Sequence, residues 1–121
     1  MRRLLVLAAL LTMACHPQDD HTAQELTGGL PARGHDAIQK YGCGACHEIP
    51  GVDGANGMVG PSLRNIADRM YLAGQVPNTP DNMKMWILQP QRIEHGTAMP
   101  NLNVTQGDAN DIAAYLYTLR Q

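Results

Sequence analysis

The run Cys43-Gly44-Ala45-Cys46-His47 places two thiols one helical turn apart and an imidazole directly after the second. That C-x-x-C-H pattern is the attachment signal for c-type haem. The thiols add to the two vinyl groups of the porphyrin, and the imidazole then lies under the iron. Gly44 and Ala45 carry no bulk, which suits a short turn pressed against the macrocycle edge. Two rival chemistries use similar residues. A zinc site wants further Cys or His ligands at regular spacing, and His35 and His95 stand at irregular distances. A thioredoxin-like redox pair sits at the start of a helix inside a βαβ pattern, which this sequence lacks.

An iron held by His47 has a sixth position, and its occupant separates an electron carrier from a ligand-binding or peroxidatic site. Met58, Met70, Met83, Met85 and Met99 all lie downstream. The distal ligand must come from a segment that folds back over the opposite haem face. Met99 fits best, because Gly96 permits a sharp turn and Pro100 stiffens the backbone beside the thioether. Met83 and Met85 fall in a helical stretch and are expected to pack. Met58 is too close to His47. His95 is the rival ligand.

These residues need elements to hold them. Ala37, Ile38 and Tyr41 recur at helical spacing over 32–41, and Gly42 ends that helix just before the motif. Residues 48–60 hold Pro50-Gly51, Asp53-Gly54 and Asn56-Gly57, turn signals for a loop around the haem edge. A short helix is expected over 62–69. Another is expected from Thr79 as cap, with Pro80 in its first turn, to Leu88 before Pro90. The last starts after Thr105, with Asp108 at its third position, and aligns Ala109, Ile112, Ala113, Leu116 and Leu119 on one face. Small Gly34 and Ala113 would let the first and last of these helices cross closely. No β periodicity or internal repeat is present.

The start of the chain is different in kind. Met1-Arg2-Arg3 precedes an apolar run from Leu4 to Leu11, a signal-peptide layout over residues 1–14. The run is too short to span a bilayer, which takes about 20 residues. A buried first helix is the alternative. Leu11-Thr12-Met13-Ala14-Cys15 resembles a lipobox, with Thr12 where an aliphatic residue is usual, so Cys15 is the candidate lipid anchor. The alternative is a conventional signal peptidase site nearby. A third cysteine beside Cys43 and Cys46 is accounted for in this way. Residues 15–30 are polar and aperiodic and read as a flexible tether carrying solvated His16 and His21.

The 121 residues allow one domain, here 31–121, and include no Phe, one Trp and four Tyr. So few aromatics leave the centre to be filled by something else. The net charge of −2 becomes −4 once Arg2 and Arg3 are removed, which argues against nucleic-acid binding. The acidic residues are scattered, and no nucleophile–base pair or paired carboxylates stand out.

From about Pro31 to Arg120 the chain resembles class I, His/Met, mono-haem cytochromes c, and especially the haem c domains associated with bacterial terminal oxidases. Beyond the haem motif, the resemblance rests on Gly60-Pro61-Ser62-Leu63, Leu72-Ala73-Gly74, Pro77-Asn78-Thr79-Pro80-Asp81-Asn82, Trp86-Ile87-Leu88-Gln89-Pro90-Gln91, Gly96-Thr97-Ala98-Met99-Pro100 and Asp111-Ile112-Ala113-Ala114-Tyr115-Leu116. It implies an all-α cytochrome c fold, about four short helices around one covalent haem c. It also implies that the Pro61 carbonyl accepts the His47 N–H, that Asn78 and Thr79 contact a haem propionate, and that Trp86 packs in the pocket.

The function implied is outer-sphere electron transfer in a respiratory chain outside the cytoplasm, on the periplasmic side of a bacterial membrane. Redox partners such as a terminal oxidase or a dehydrogenase or quinol oxidoreductase are expected, with no small-molecule substrate. Two alternatives stay open. One is a fixed haem c subunit of a respiratory complex. The other is a haem enzyme or gas sensor with an open or labile sixth position.

Overall fold

A computed structural model describes residues 17–121. Cys15 and the expected signal peptide lie outside them. The element order is α1 (Pro17–Thr27), α2 (Pro31–Lys40), a 3-10 turn (Cys43–Ala45), a second (Ile66–Asp68), β1 (Tyr71–Leu72), β2 (Val76–Pro77), α3 (Pro80–Leu88), α4 (Pro90–Ile93) and α5 (Gln106–Thr118).

The long helix α5 is the hub, because α1, α2 and α3 all pack on it. It carries Ala109, Ile112, Ala113 and Leu116 into the core, with Leu119 partly buried beyond its end. Thr105 caps it by accepting the Asp108 N–H at 3.1 Å, and Thr79 caps α3 by accepting the Asn82 N–H at 3.2 Å. Both caps follow from hydroxyls that satisfy otherwise orphaned amides. Helix α2 crosses α5 where Gly34 lies against the backbone of Asp111, so closely that a Cβ would overlap its carbonyl oxygen. The small residue that permits the crossing is thus matched by backbone at Asp111 rather than by Ala113. At the other end of α2, Tyr41 donates to Asp108 at 2.7 Å and Lys40 pairs with the same carboxylate at 3.0 Å. These contacts hold Asp108 below the usual carboxylate range.

Three expectations change. Residues 17–27, read as part of a tether, form α1, with Ala23 and Thr27 buried one turn apart. The polar surface of that segment hid a stripe of two small side chains, too narrow to register as periodicity. The helix expected over 62–69 is reduced to the 3-10 turn Ile66–Asp68, entered through Asn65 at φ 57°. A two-stranded antiparallel pair, Tyr71 opposite Pro77 and Leu72 opposite Val76, stands where no strand was expected. Two residues per strand give no alternation to detect. No helix among the described residues is long and apolar enough to cross a membrane.

Candidate functional site

Helix α2 stops at Gly42, whose φ of 69° suits a residue without a Cβ, and the chain turns straight into the C-x-x-C-H motif. The Cys43 carbonyl accepts from the amides of both Cys46 (3.2 Å) and His47 (3.0 Å), so the two thiols and the imidazole are set on one tight turn. The loop that follows is stitched back onto that turn. Gly57 N–H donates to the Gly44 carbonyl at 3.0 Å and Gly60 N–H to the Cys46 carbonyl at 2.7 Å. A Cβ on Gly44 would come within 2.7 Å of Ala55. The small middle of the motif therefore makes room for the loop backbone, a different role from contact with a macrocycle.

His47 is oriented by its Nδ1, which lies 2.7 Å from the Pro61 carbonyl oxygen. A carbonyl only accepts, so Nδ1 carries the proton and Nε2 keeps its lone pair for a metal. Gly60 packs flat on the same ring, where a Cβ would overlap it. The imidazole is thus fixed by a hydrogen bond on one nitrogen and by backbone on one face.

Cys43, Cys46 and His47 line a cavity of about 450 Å³ walled mainly by aliphatic side chains such as Ile38, Leu63, Leu72 and Ile112. That size falls in the ~300–1,000 Å³ range of cofactor and ligand pockets. Trp86 and Met83 enter it from α3, and Met99 and Pro100 from the loop after α4. Met58 and Met70 are exposed and off the lining, and so is His95. Met85 does not line it either. Met83 is held fully buried in the core cluster, which leaves Met99 as the thioether on a loop.

That loop is braced by a residue whose part the sequence did not reveal. Gln91 donates from Nε2 to the Thr97 carbonyl at 2.8 Å and accepts the Gly96 N–H on Oε1 at 2.9 Å. The Thr97 hydroxyl in turn accepts the Met99 N–H at 3.3 Å. Arg69 was also missed. Among the described residues it is the one Lys or Arg on the cavity lining, and its guanidinium donates to the carbonyls of Ser62 and Arg64.

Asn78 and Thr79, which the resemblance pairs with a haem propionate, do not line the cavity. Asn78 donates to the carbonyls of Ile66 and Arg69, both at 2.9 Å, and accepts from the Tyr117 hydroxyl at 2.8 Å. Its amide ties the 66–70 segment to α5, while the Thr79 hydroxyl accepts in the cap and keeps its proton to donate.

The rival chemistries of the motif find no support. No group of three or more His, Cys, Asp or Glu that could hold a metal ion is present among the described residues. Burial pushes the Cys43 thiol up, with Cys46 adding to the shift. Two half-buried thiols beside an apolar cavity, an oriented imidazole and a thioether on the same lining together fit a flat apolar macrocycle bound at one edge.

The sequence model of the family described as Cytochrome c matches residues 31–120. Among curated proteins, the chain is similar to "Cytochrome c oxidase subunit 2" of Alkalihalophilus pseudofirmus, 30% identical over 98 residues, which is 80% of this chain and 28% of the relative. A second "Cytochrome c oxidase subunit 2", from Bacillus sp. strain PS3, is 26% identical over 93 residues, 74% of this chain and 26% of the relative. "Cytochrome c-552" of Nitrosomonas europaea is 28% identical over 103 residues, 78% of this chain and 86% of the relative. The chain thus spans about a quarter of the oxidase subunits but matches the smaller protein over most of its length.

Proposed function

This chain belongs to the cytochrome c family, and from that premise we propose that it is an electron-transfer protein, not an enzyme, with one haem iron held between His47 and Met99. A cytochrome c domain carries covalently bound haem c, and Cys43 and Cys46 stand at the spacing that this attachment uses. Bound in the cavity, haem c supplies a one-electron ferrous/ferric couple. The chain's own residues then have separate tasks. Cys43 and Cys46 anchor one edge. Pro61 holds the proton on His47 Nδ1, so that Nε2 faces the metal and the imidazole is a stronger donor. The Gln91 brace keeps Met99 at the cavity. Trp86 and the aliphatic walls exclude water, which favours the form of lower charge. Arg69 offers the cavity's guanidinium to the carboxylates of the cofactor.

The observation that carries this reading is that His47 and Met99 line one apolar cavity while His47 Nδ1 is engaged by Pro61. The ferric protein is expected to show the weak far-red absorption of a methionine sulfur bound to iron. Met99→Ala abolishes that band and His95→Ala leaves it. A spectrum without the band, unchanged by Met99→Ala, overturns the His/Met reading in favour of an open or labile sixth position.

The same proposal places the protein outside the cytoplasm, on the periplasmic side of a bacterial membrane and attached by a lipid on Cys15. There it exchanges electrons with a terminal oxidase or a dehydrogenase or quinol oxidoreductase of a respiratory chain. Val59 and Tyr71 line the cavity and are largely exposed, and each has an exposed methionine, Met58 or Met70, as its sequence neighbour. This apolar rim, with only Lys40 and Lys84 as lysines in the whole chain, suits a partner bound with weak salt dependence. A second reading is a fixed subunit of a respiratory complex. The similarity to segments of two oxidase subunits favours it, and co-purification after mild solubilisation separates the two.

A further inference from the structure

Helix α1 lies outside the span that matches the family, 31–120. It is nevertheless built into the domain. Ala23 is 1% exposed and Thr27 3%, and the helix packs chiefly on α5. The Thr27 hydroxyl donates to the Ala23 carbonyl at 2.8 Å and accepts the Gly29 N–H at 3.1 Å, which closes the helix end. Gly29 lies so close to α5 that a Cβ would overlap the Asn110 carbonyl. One residue later, Leu30 N–H donates to the Asp111 carboxylate at 2.7 Å, and Arg33 pairs with the same group at 3.0 Å. From Ala23 to Gly34 the chain is therefore held against α5 by packing, backbone contact and a buried carboxylate.

We infer that α1 is a docked mount that keeps the haem domain close to a lipid surface by shortening the chain free to move. The inference rests on the reading of Cys15 as the lipid-bearing residue. Only Cys15 and His16 then separate the acyl chains from α1, a span of at most about 7 Å. A tether running from residue 15 to residue 30 would have reached about 55 Å. Helix α1 is not itself a membrane-inserting helix. Asp20, His21, Gln24 and Glu25 are exposed, and it contains no Lys or Arg for anionic headgroups. The acyl chains hold the surface, and docking of α1 on α5 keeps the leash short. The domain then does not sweep a wide volume, and electrons pass to partners close to the membrane surface.

The test uses the full, exported, haem-loaded chain in vesicles of phosphatidylcholine and phosphatidylglycerol with a trace of headgroup-labelled fluorescent lipid. The haem quenches the label according to distance. The decisive variant inserts about 12 Gly and Ser residues between His16 and Pro17, which adds up to about 40 Å of reach without touching the fold. Strong, homogeneous quenching by the wild type, falling severalfold and becoming heterogeneous on insertion, is the expected result. Ala23→Asp, which places a charge in the contact with α5, is expected to behave like the insertion. Equal quenching by the wild type and the insertion variant overturns the mount. Cys15→Ser is expected to release the protein from vesicles. Retention of that variant overturns the lipid reading, and the mount with it, whereas equal quenching with release intact overturns the mount alone.

Discussion

His47 and Pro61, fourteen residues apart, are joined by a 2.7 Å hydrogen bond from imidazole Nδ1 to carbonyl oxygen, and Gly60 closes over the same ring. A backbone carbonyl cannot be removed by substitution, so the adjoining glycine is the accessible probe of this geometry. Gly60→Ala would drive a methyl into the imidazole, and overpacking of this kind costs about 1–3 kcal/mol. The variant is expected to lose that much stability in denaturant unfolding of the haem-loaded protein, with a shifted reduction potential as His47 is displaced. Gly107→Ala is the control. It lies in α5 with open space around its Cβ, and it should be neutral or stabilising by up to about 1 kcal/mol.

Gln91 holds the Met99 loop by two hydrogen bonds, to Thr97 and Gly96. Each such bond contributes about 0.5–1.5 kcal/mol net, so Gln91→Ala should favour detachment of Met99 about tenfold or more. Titration of the far-red ferric band with rising pH measures this. The midpoint for its loss is expected to fall by about one unit relative to the wild type. An unmoved midpoint would show that the loop is held by other contacts.

Tyr117 governs part of the alkaline limit. Burial pushes its phenol up to about 12, although Arg120 opposes the shift. In an unfolded chain the group titrates near ~10. The folded state keeps the proton longer, so this contribution to stability is complete below about pH 10 and is lost as pH rises to about 12. Tyr117→Phe removes the donor to Asn78 Oδ1. It is expected to cost about 1 kcal/mol at neutral pH and to flatten the decline in melting temperature between pH 10 and 12. Parallel declines in both proteins would exclude Tyr117 as the source.

Much of the site could be read from residue types alone, because C-x-x-C-H fixes a covalent chemistry by spacing and the loop holding Met99 is marked by Gly96 and Pro100. The caps at Thr79 and Thr105 were legible for the same reason, since a hydroxyl before a helical run has a local task. What escaped detection was set by contacts distant in sequence. Asn78 is bound to Tyr117, 39 positions away, a scaffold contact that no local pattern announces. Gln91 and Arg69 have no local signature, because their partners are backbone carbonyls and amides placed by the fold. Helix α1 escaped because its stability comes from docking on α5 through two small residues, with a mostly polar surface elsewhere.

The cavity itself predicts the behaviour of the chain without its cofactor. Without the cofactor, water enters this space of about 450 Å³, open at Val59 and Tyr71, and its aliphatic walls lose their burial. Native domains hold only about 5–15 kcal/mol in total. The walls that would have to close are buried aliphatics on α2, α3 and α5, such as Ile38, Met83, Ile87 and Ile112, with no Phe anywhere in the chain to fill the space. A Cys43→Ala/Cys46→Ala variant produced without haem is therefore expected to lack a cooperative thermal transition and most of its helical circular dichroism signal. The haem-loaded wild type should melt sharply under the same conditions. A cooperative helical melt of the haem-free variant would mean that α1, α2 and α5 fold as an independent unit, with the macrocycle added to a finished scaffold.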